Sequence, residues 1–256
     1  MITRSRIAAA LVICATVASS VHAQARYVAS SWGPNRVTLL DANLNVLSSF
    51  ATTGNYGNGV AANASTIWVG DFFQSRVTAY SHTGTVLYSW TAPGLENVQG
   101  LALVGSNIAF ASNGTTRFHD AATGVFQYSF GNSGGTVEGL TYDGSWVWEL
   151  ADQLVARDPV TGSIQRSIVN LADNCSFGGT GIGSTGNGHL VLGCTNGDWY
   201  RVSDLDGSLI ASGNNSVEMY GLDNIQGGQV VPEPGTYVLL GTGLLGLAAA
   251  RRRRAA

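Results

Sequence analysis

Apolar residues in this chain fall into short runs that alternate with polar ones and stop at Gly, Asp, Asn or Pro. The stretch Gly139–Thr180 shows the pattern most plainly. A short run follows Gly139-Leu140, then come Ser145–Leu150, Leu154–Asp158, a turn at Pro159-Val160-Thr161-Gly162, and Ser163–Val169. Runs this short, rich in branched and aromatic residues and bounded by turn formers, predict four strands in a meander.

The same unit recurs. Gly59-Val60, Gly100-Leu101, Gly139-Leu140, Gly181-Ile182 and Gly221-Leu222 follow one another at spacings of 41, 39, 42 and 40 residues. Second strands are predicted at Arg26–Ala29, Thr66–Gly70, Asn107–Ala111, Ser145–Glu149 and His189–Gly193. Third strands are predicted at Arg36–Leu40, Arg76–Tyr80, Thr115–His119, Leu154–Arg157 and Trp199–Val202. Turns such as Asp120–Gly124, Asp158–Gly162 and Asp204–Gly207 lead to the fourth, at Val46–Phe50, Val86–Trp90, Val125–Phe130, Ser163–Val169 and Ser208–Ala211. Asp and Asn bond their own backbone in such turns, and Gly supplies positive φ.

A period near 40 residues with four strands per unit marks an all-β fold of the β-propeller kind. The first unit lacks an innermost strand, and Gly221–Ile225 is an innermost strand with nothing after it. Together they complete one sheet. The expected architecture is five four-stranded blades, with the C-terminal strand closing the ring and leaving no raw sheet edge. Six blades with one degenerate unit is the alternative. Trp68, Trp90, Phe110, Phe126, Trp146 and Trp148 fall inside these units and are expected to fill the space between sheets. Over residues 26–226 the repeat resembles secreted propellers of the NHL and SMP-30-like kind. That resemblance implies architecture, because propellers host many activities.

Composition narrows the partners. The chain has 256 residues, no lysine, 34 glycines and only 11% charged residues. Between the end segments it keeps seven arginines against fifteen acids, a net of −8. An acidic, lysine-free body argues against nucleic acid, whose phosphates need cationic partners. Residues 1–23 have the form of a secretory signal peptide: Arg4 and Arg6, an apolar run Ile7–Val17, and small residues in Val21-His22-Ala23. Cleavage by signal peptidase after Ala23 is expected; an N-terminal membrane helix is the other reading. Cys14 leaves with that segment, so Cys175 and Cys194 remain. In an oxidising compartment they are expected to bridge, the alternative being two buried thiols.

The C-terminal segment, residues 230–256, has three parts in order. Val231-Pro232-Glu233-Pro234-Gly235 precedes an apolar run Thr236–Ala250, which ends in Arg251, Arg252, Arg253 and Arg254. This resembles the PEP-CTERM sorting signal. Fifteen residues of helix cover about 22 Å, short of the roughly 30 Å hydrocarbon core, and four arginines hold the end in the cytoplasm. The resemblance implies an exosortase that cuts near Pro232–Pro234, and a Gram-negative host that exports exopolysaccharide. The precursor is then tethered to the inner membrane by the helix, and the product goes to the cell surface or matrix. A permanent anchor is the alternative. The expected organisation is a signal peptide over 1–23, a propeller over 24–229 and a sorting signal over 230–256.

Candidate ligand-binding residues precede the unit glycines: Asn58, Gln99, Glu138, Thr180 and Tyr220, with Glu96 and Glu218 close by. If the units align, these side chains ring one mouth of the propeller. Oxygen-bearing groups suit Ca²⁺ or Mg²⁺, with Glu138 as the first candidate ligand, and polar groups beside aromatics suit sugars. No His-Glu-x-x-His or phosphate-binding loop occurs. Two functional readings follow. One is an exported, non-enzymatic surface or matrix protein that binds polysaccharide or surface proteins. The other is a divalent-metal-dependent propeller hydrolase or lyase. A purely structural spacer is a third.

Overall fold

The computed structural model describes residues 25–54, 57–91, 98–112, 114–132, 137–169, 175 and 180–226. Arg26–Gly227 form one compact unit of the chain. The expected signal peptide, the apolar helix over Thr236–Ala250 and the arginines that follow lie outside the described residues. All regular elements that are described are strands.

Strands β1 (Tyr27–Ser31), β2 (Arg36–Leu40) and β3 (Val46–Ala51) form a meander with β20 (Gly221–Gln226) as its inner strand. A second meander comprises β4 (Gly57–Asn63), β5 (Ile67–Asp71), β6 (Arg76–Tyr80) and β7 (Val86–Thr91). Residues Ile225 and Gln226 pair in parallel with Ala62 and Asn63, which joins these two meanders into one eight-stranded sheet. Three four-stranded sheets follow. The first is β8 (Leu101–Val104), β9 (Asn107–Ser112), β10 (Thr115–Asp120) and β11 (Phe126–Gly131). The second is β12 (Gly139–Tyr142), β13 (Val147–Leu150), β14 (Leu154–Arg157) and β15 (Ile164–Ile168). The third is β16 (Thr180–Ser184), β17 (His189–Cys194), β18 (Asp198–Ser203) and β19 (Leu209–Asn214). The whole is a propeller-like β fold.

The expected meeting of chain ends is present: Ser30 pairs with Gly221 and Tyr27 with Asn224, antiparallel. Inner strands touch in a cycle, β4 with β8, β8 with β12, β12 with β16, β16 with β20 and β20 with β4. The unit glycines explain how closely they approach. A Cβ on Gly100 would stand 3.0 Å or less from the Gly139 and Leu140 backbone. One on Gly181 would be as close to Gly221 and Leu222, and one on Gly221 to Asn58 and Val60. The obstruction is backbone, which cannot rotate aside. Glycine recurs every 40 or so residues because the centre of the fold has no room for a side chain there.

Outside the centre, large side chains fill the gaps between successive sheets. Trp68 and Val77 pack with Leu101 and Phe110. Ala109 and Phe118 pack with Leu140 and Val147, Trp148 and Leu154 with Ile182 and Leu192, and Tyr27 and Leu40 with Val191 and Leu222. Burying one such side chain stabilises by about 1.5–3 kcal/mol. At the periphery, Trp90 lies against the turn glycine Gly124, whose φ of +73° and crowded Cβ position both require glycine. The Trp68 and Trp90 indole N–H groups both donate to the Ala121 carbonyl, at 3.2 and 3.1 Å.

One expected core aromatic lies elsewhere. Phe126 is 53% exposed. It opens the outermost strand β11, where no further strand covers it, and its ring meets His119 edge-on at 5.5 Å. Trp146 is only partly buried, just ahead of β13. Each outermost pairing shifts register at one place, at Leu39/Leu40, Ala79/Tyr80, Phe118/His119, Ala156/Arg157 and Arg201/Val202. Such bulges twist the edge strand and make it a poor template for another chain. Cys175 and Cys194 form a disulfide, with Cα atoms 5.4 Å apart.

Candidate functional site

The register sets which residues share an end of the fold. Ser30 lies opposite Gly221, and Asp71 opposite Gly57. The turn Trp32–Asn35 after β1 and the turn after β5, residues 72–75, therefore sit at the end where β20 and β4 begin. That end carries Asn58 and Tyr220. Both turns close on a non-glycine residue of positive φ, Asn35 at 46° and Ser75 at 50°, a geometry uncommon outside glycine. The second turn is pinned by Asp71, whose Oδ1 accepts the backbone N–H groups of Phe73 at 3.0 Å and Gln74 at 3.1 Å.

The expected rim residues behave differently from one another. Asn58 is buried within β4, 6% exposed, and its carbonyl accepts the Ser30 hydroxyl at 2.9 Å. Gln99 and Glu138 are half-buried, and the Glu138 N–H donates to the Leu150 carbonyl at 2.8 Å. Thr180 opens β16; its side chain, and Glu96 altogether, lie outside the described residues. Glu218 is exposed, and its carbonyl accepts the Ser31 hydroxyl at 2.9 Å. Tyr220 is half-buried and donates its N–H to the Ser30 carbonyl at 3.0 Å. Among the described residues no three or more His, Cys, Asp or Glu side chains gather as a metal site.

Around Tyr220 the structure places three aromatics that the strand pattern does not single out. The Trp32 ring lies 5.5 Å from that of Tyr220, 5.1 Å from Phe72 and 6.0 Å from Phe73. Phe72 and Phe73 meet edge to face at 4.9 Å. Phe73 remains 63% exposed. Tilted and edge-on contacts of this kind favour one another through their ring quadrupoles. The Glu218 carboxylate stands beside the first turn, 3.8 Å from where a Cβ on Gly33 would be. The sequence does hold a sign of this site. Trp32 and Phe72-Phe73 occupy corresponding turns of consecutive units, where polar residues are the rule.

A second polar group lies at the centre. Asp223, two residues beyond a unit glycine, is 0% exposed. Its Oδ1 accepts the Thr141 hydroxyl at 2.7 Å, and Thr141 Oγ1 accepts the Ser184 N–H at 3.2 Å. The Asn224 side-chain oxygen is 3.3 Å from the same hydroxyl, while Asp223 Oδ2 has no hydrogen-bond partner among the described residues. Burial pushes the Asp223 carboxyl well above its usual range, against smaller opposing effects of the bonds from Thr141 and from the Asn224 and Ala62 backbone. The other four positions two beyond a unit glycine are Ala61, Ala102, Thr141 and Gly183. Asp223 is the lone acid of that set.

Comparisons with known proteins add one assignment. Residues 230–254 match the PEP-CTERM protein-sorting motif. That motif implies export, a membrane-anchored precursor, an exosortase as processing partner and a destination at the cell surface. No curated protein matches the chain. Among solved structures, a protein of unknown function from Bacteroides caccae is similar at 12% identity, with a TM-score of 0.49. The match covers 75% of this chain and 73% of that one.

Proposed function

We propose that this chain is an exported surface or matrix protein whose body, a five-bladed propeller closed by β20, serves as a binding or scaffolding module associated with exopolysaccharide. The sorting motif at residues 230–254 carries the reading. Signal peptidase removes residues 1–23, and exosortase cuts near Pro232, Glu233 and Pro234 and discards the helix and Arg251–Arg254. The body then leaves the inner membrane of a Gram-negative host. Its β-rich fold and its bridge between Cys175 and Cys194 suit an oxidising compartment outside the cytoplasm. The face that carries Tyr220, with Gln99 and Glu138 at the same ends of their own units, is the proposed binding surface. Asn58, buried in β4, supports that face from beneath.

Mass spectrometry of the protein isolated from its host tests the reading. The expected mature chain starts at Gln24 and ends close to Pro232, and in a strain lacking exosortase the precursor keeps its C terminus. A mature chain that ends at Ala256 in the wild-type host would overturn it.

A further inference from the structure

We infer that the aromatic cluster of Trp32, Phe72, Phe73 and Tyr220 is a glycan-binding platform, and that its ligand is an uncharged polysaccharide. The assignment rests on the reading of the body as a surface binding module and gives that module a site and a ligand class.

The cluster is built rather than incidental. Two turns from successive meanders meet through Trp32 and Phe72, 5.1 Å between ring centroids. Asp71 fixes the second turn, and the first is tied to the strand start of β20 through Ser31 and the Glu218 carbonyl. Phe73 stays 63% exposed although the Trp32 and Phe72 rings both lie against it. An apolar ring held open by a fixed turn is a surface kept for contact.

The chemistry selects the ligand. A pyranose ring has flat C–H faces that lie against an aromatic ring and an equatorial belt of hydroxyls that seek acceptors. Phe73 and Trp32 supply the first, and the exposed Glu218 carboxylate beside Gly33 supplies the second. Charge excludes the acidic glycans. The body carries no lysine and a net of −8. Of the two cations that open β2 and β6, only Arg76 has a carboxylate beside it among the described residues. Arg36 donates to Ser49 Oγ at 2.7 Å, and the Arg76 guanidinium lies 3.8 Å from the Asp71 carboxylate. A polyanion would meet the Glu218 carboxylate and an acidic body, with a single exposed arginine, Arg36, at the foot of the first turn.

Titration calorimetry of the exported protein against cellohexaose, laminarihexaose, mannohexaose and a hyaluronan oligosaccharide tests the assignment. At least one neutral hexasaccharide is expected to bind, equally at low and high salt, while hyaluronan does not. Phe73→Ala, whose side chain is mostly solvated, is expected to weaken binding at least about fivefold, the effect of losing roughly 1 kcal/mol of stacking. Leu205→Ala, on an exposed turn far along the chain, leaves it unchanged. Equal affinity in Phe73→Ala overturns the site but leaves a glycan-binding module. Preference for hyaluronan, or no binding by any neutral glycan, overturns the ligand class. Self-association lost in Phe73→Ala, without glycan binding, assigns the patch to a protein contact instead. None of these results bears on the processed C terminus, so the export reading stands or falls separately.

Discussion

Thr141 donates its hydroxyl to Asp223 across the centre of the fold, at 2.7 Å. The two residues are 82 positions apart in sequence, one on β12 and one on β20, and their bond links the strand that closes the cycle to the strand facing it. The carboxyl is wholly buried. An ionised carboxylate in such a place is costly, so the group holds its proton far above the usual range. Burial thus favours the protonated form of the acid that holds the closing strand.

This sets the sign of a pH dependence. The folded pKa of Asp223 lies above the ordinary value of 3.8. Its contribution is whole below about pH 3.8 and is lost as pH rises through the folded value, with a slope of at most about 1.4 kcal/mol per unit. Asp120, Asp158 and Asp206 have the opposite shift: their turn hydrogen bonds, led by those from Thr123, Thr161 and Ser208, hold them low. Those acids stabilise above their unfolded values and lose that as pH falls. Comparing the wild type with Asp223→Asn cancels them. Urea unfolding from pH 4 to pH 8 should show the wild type losing ground to Asp223→Asn as pH rises. A difference that stays constant across that range would refute this preference for the protonated form.

The glycine repeat makes a second prediction. A methyl group on Gly100 meets the backbone of Gly139 and Leu140. Overpacking of this kind costs about 1–3 kcal/mol, and more where backbone must move. Gly131, at the outer end of β11, has nothing within 4 Å of a Cβ and no positive φ. Gly100→Ala should lower the denaturant midpoint clearly, while Gly131→Ala leaves it unchanged or raises it slightly. Equal behaviour of the two variants would show that the inner glycines are not set by space.

Much of the architecture was legible because one physical constraint repeats. Gly59, Gly100, Gly181 and Gly221 are each forced by the next inner strand, and such a constraint leaves a period in the sequence. The incomplete first unit likewise pointed to the pairing of Ser30 with Gly221. The site was less legible because its parts do not repeat. Trp32, Phe72 and Phe73 sit in turns, and a rule that assigns aromatics to strand cores passes over them. The same rule misplaced Phe126, since it takes no account of a strand with only one neighbour. Asn58 belongs to the expected rim by position, yet β4 begins one residue earlier and draws it into the sheet. Glu149 looks like an ordinary strand residue until β14 brings Arg157 beside it.

That last pair yields the third prediction. Arg157 Nε lies 2.8 Å from Glu149 Oε2, and Glu149 Oε1 accepts the Thr116 hydroxyl, also at 2.8 Å. Glu149 is 0% and Arg157 6% exposed. Arg157 also donates to the Gly162 carbonyl at 2.8 Å, and its guanidinium stands over Phe130 at 6.0 Å. The group therefore ties β10 and β11 of one sheet to β13 and β14 of the next. Removing the acid alone leaves a buried guanidinium whose remaining partners among the described residues are a carbonyl and a ring. Breaking such a pair costs about 3–5 kcal/mol, whereas replacing both partners with apolar groups of similar volume is often neutral. Glu149→Ala should therefore destabilise strongly in urea unfolding, and Glu149→Leu combined with Arg157→Met should recover most of the loss. A double variant as unstable as the single one would mean that the hydrogen bonds to Thr116 and Gly162, rather than the uncompensated charge, hold the two sheets together.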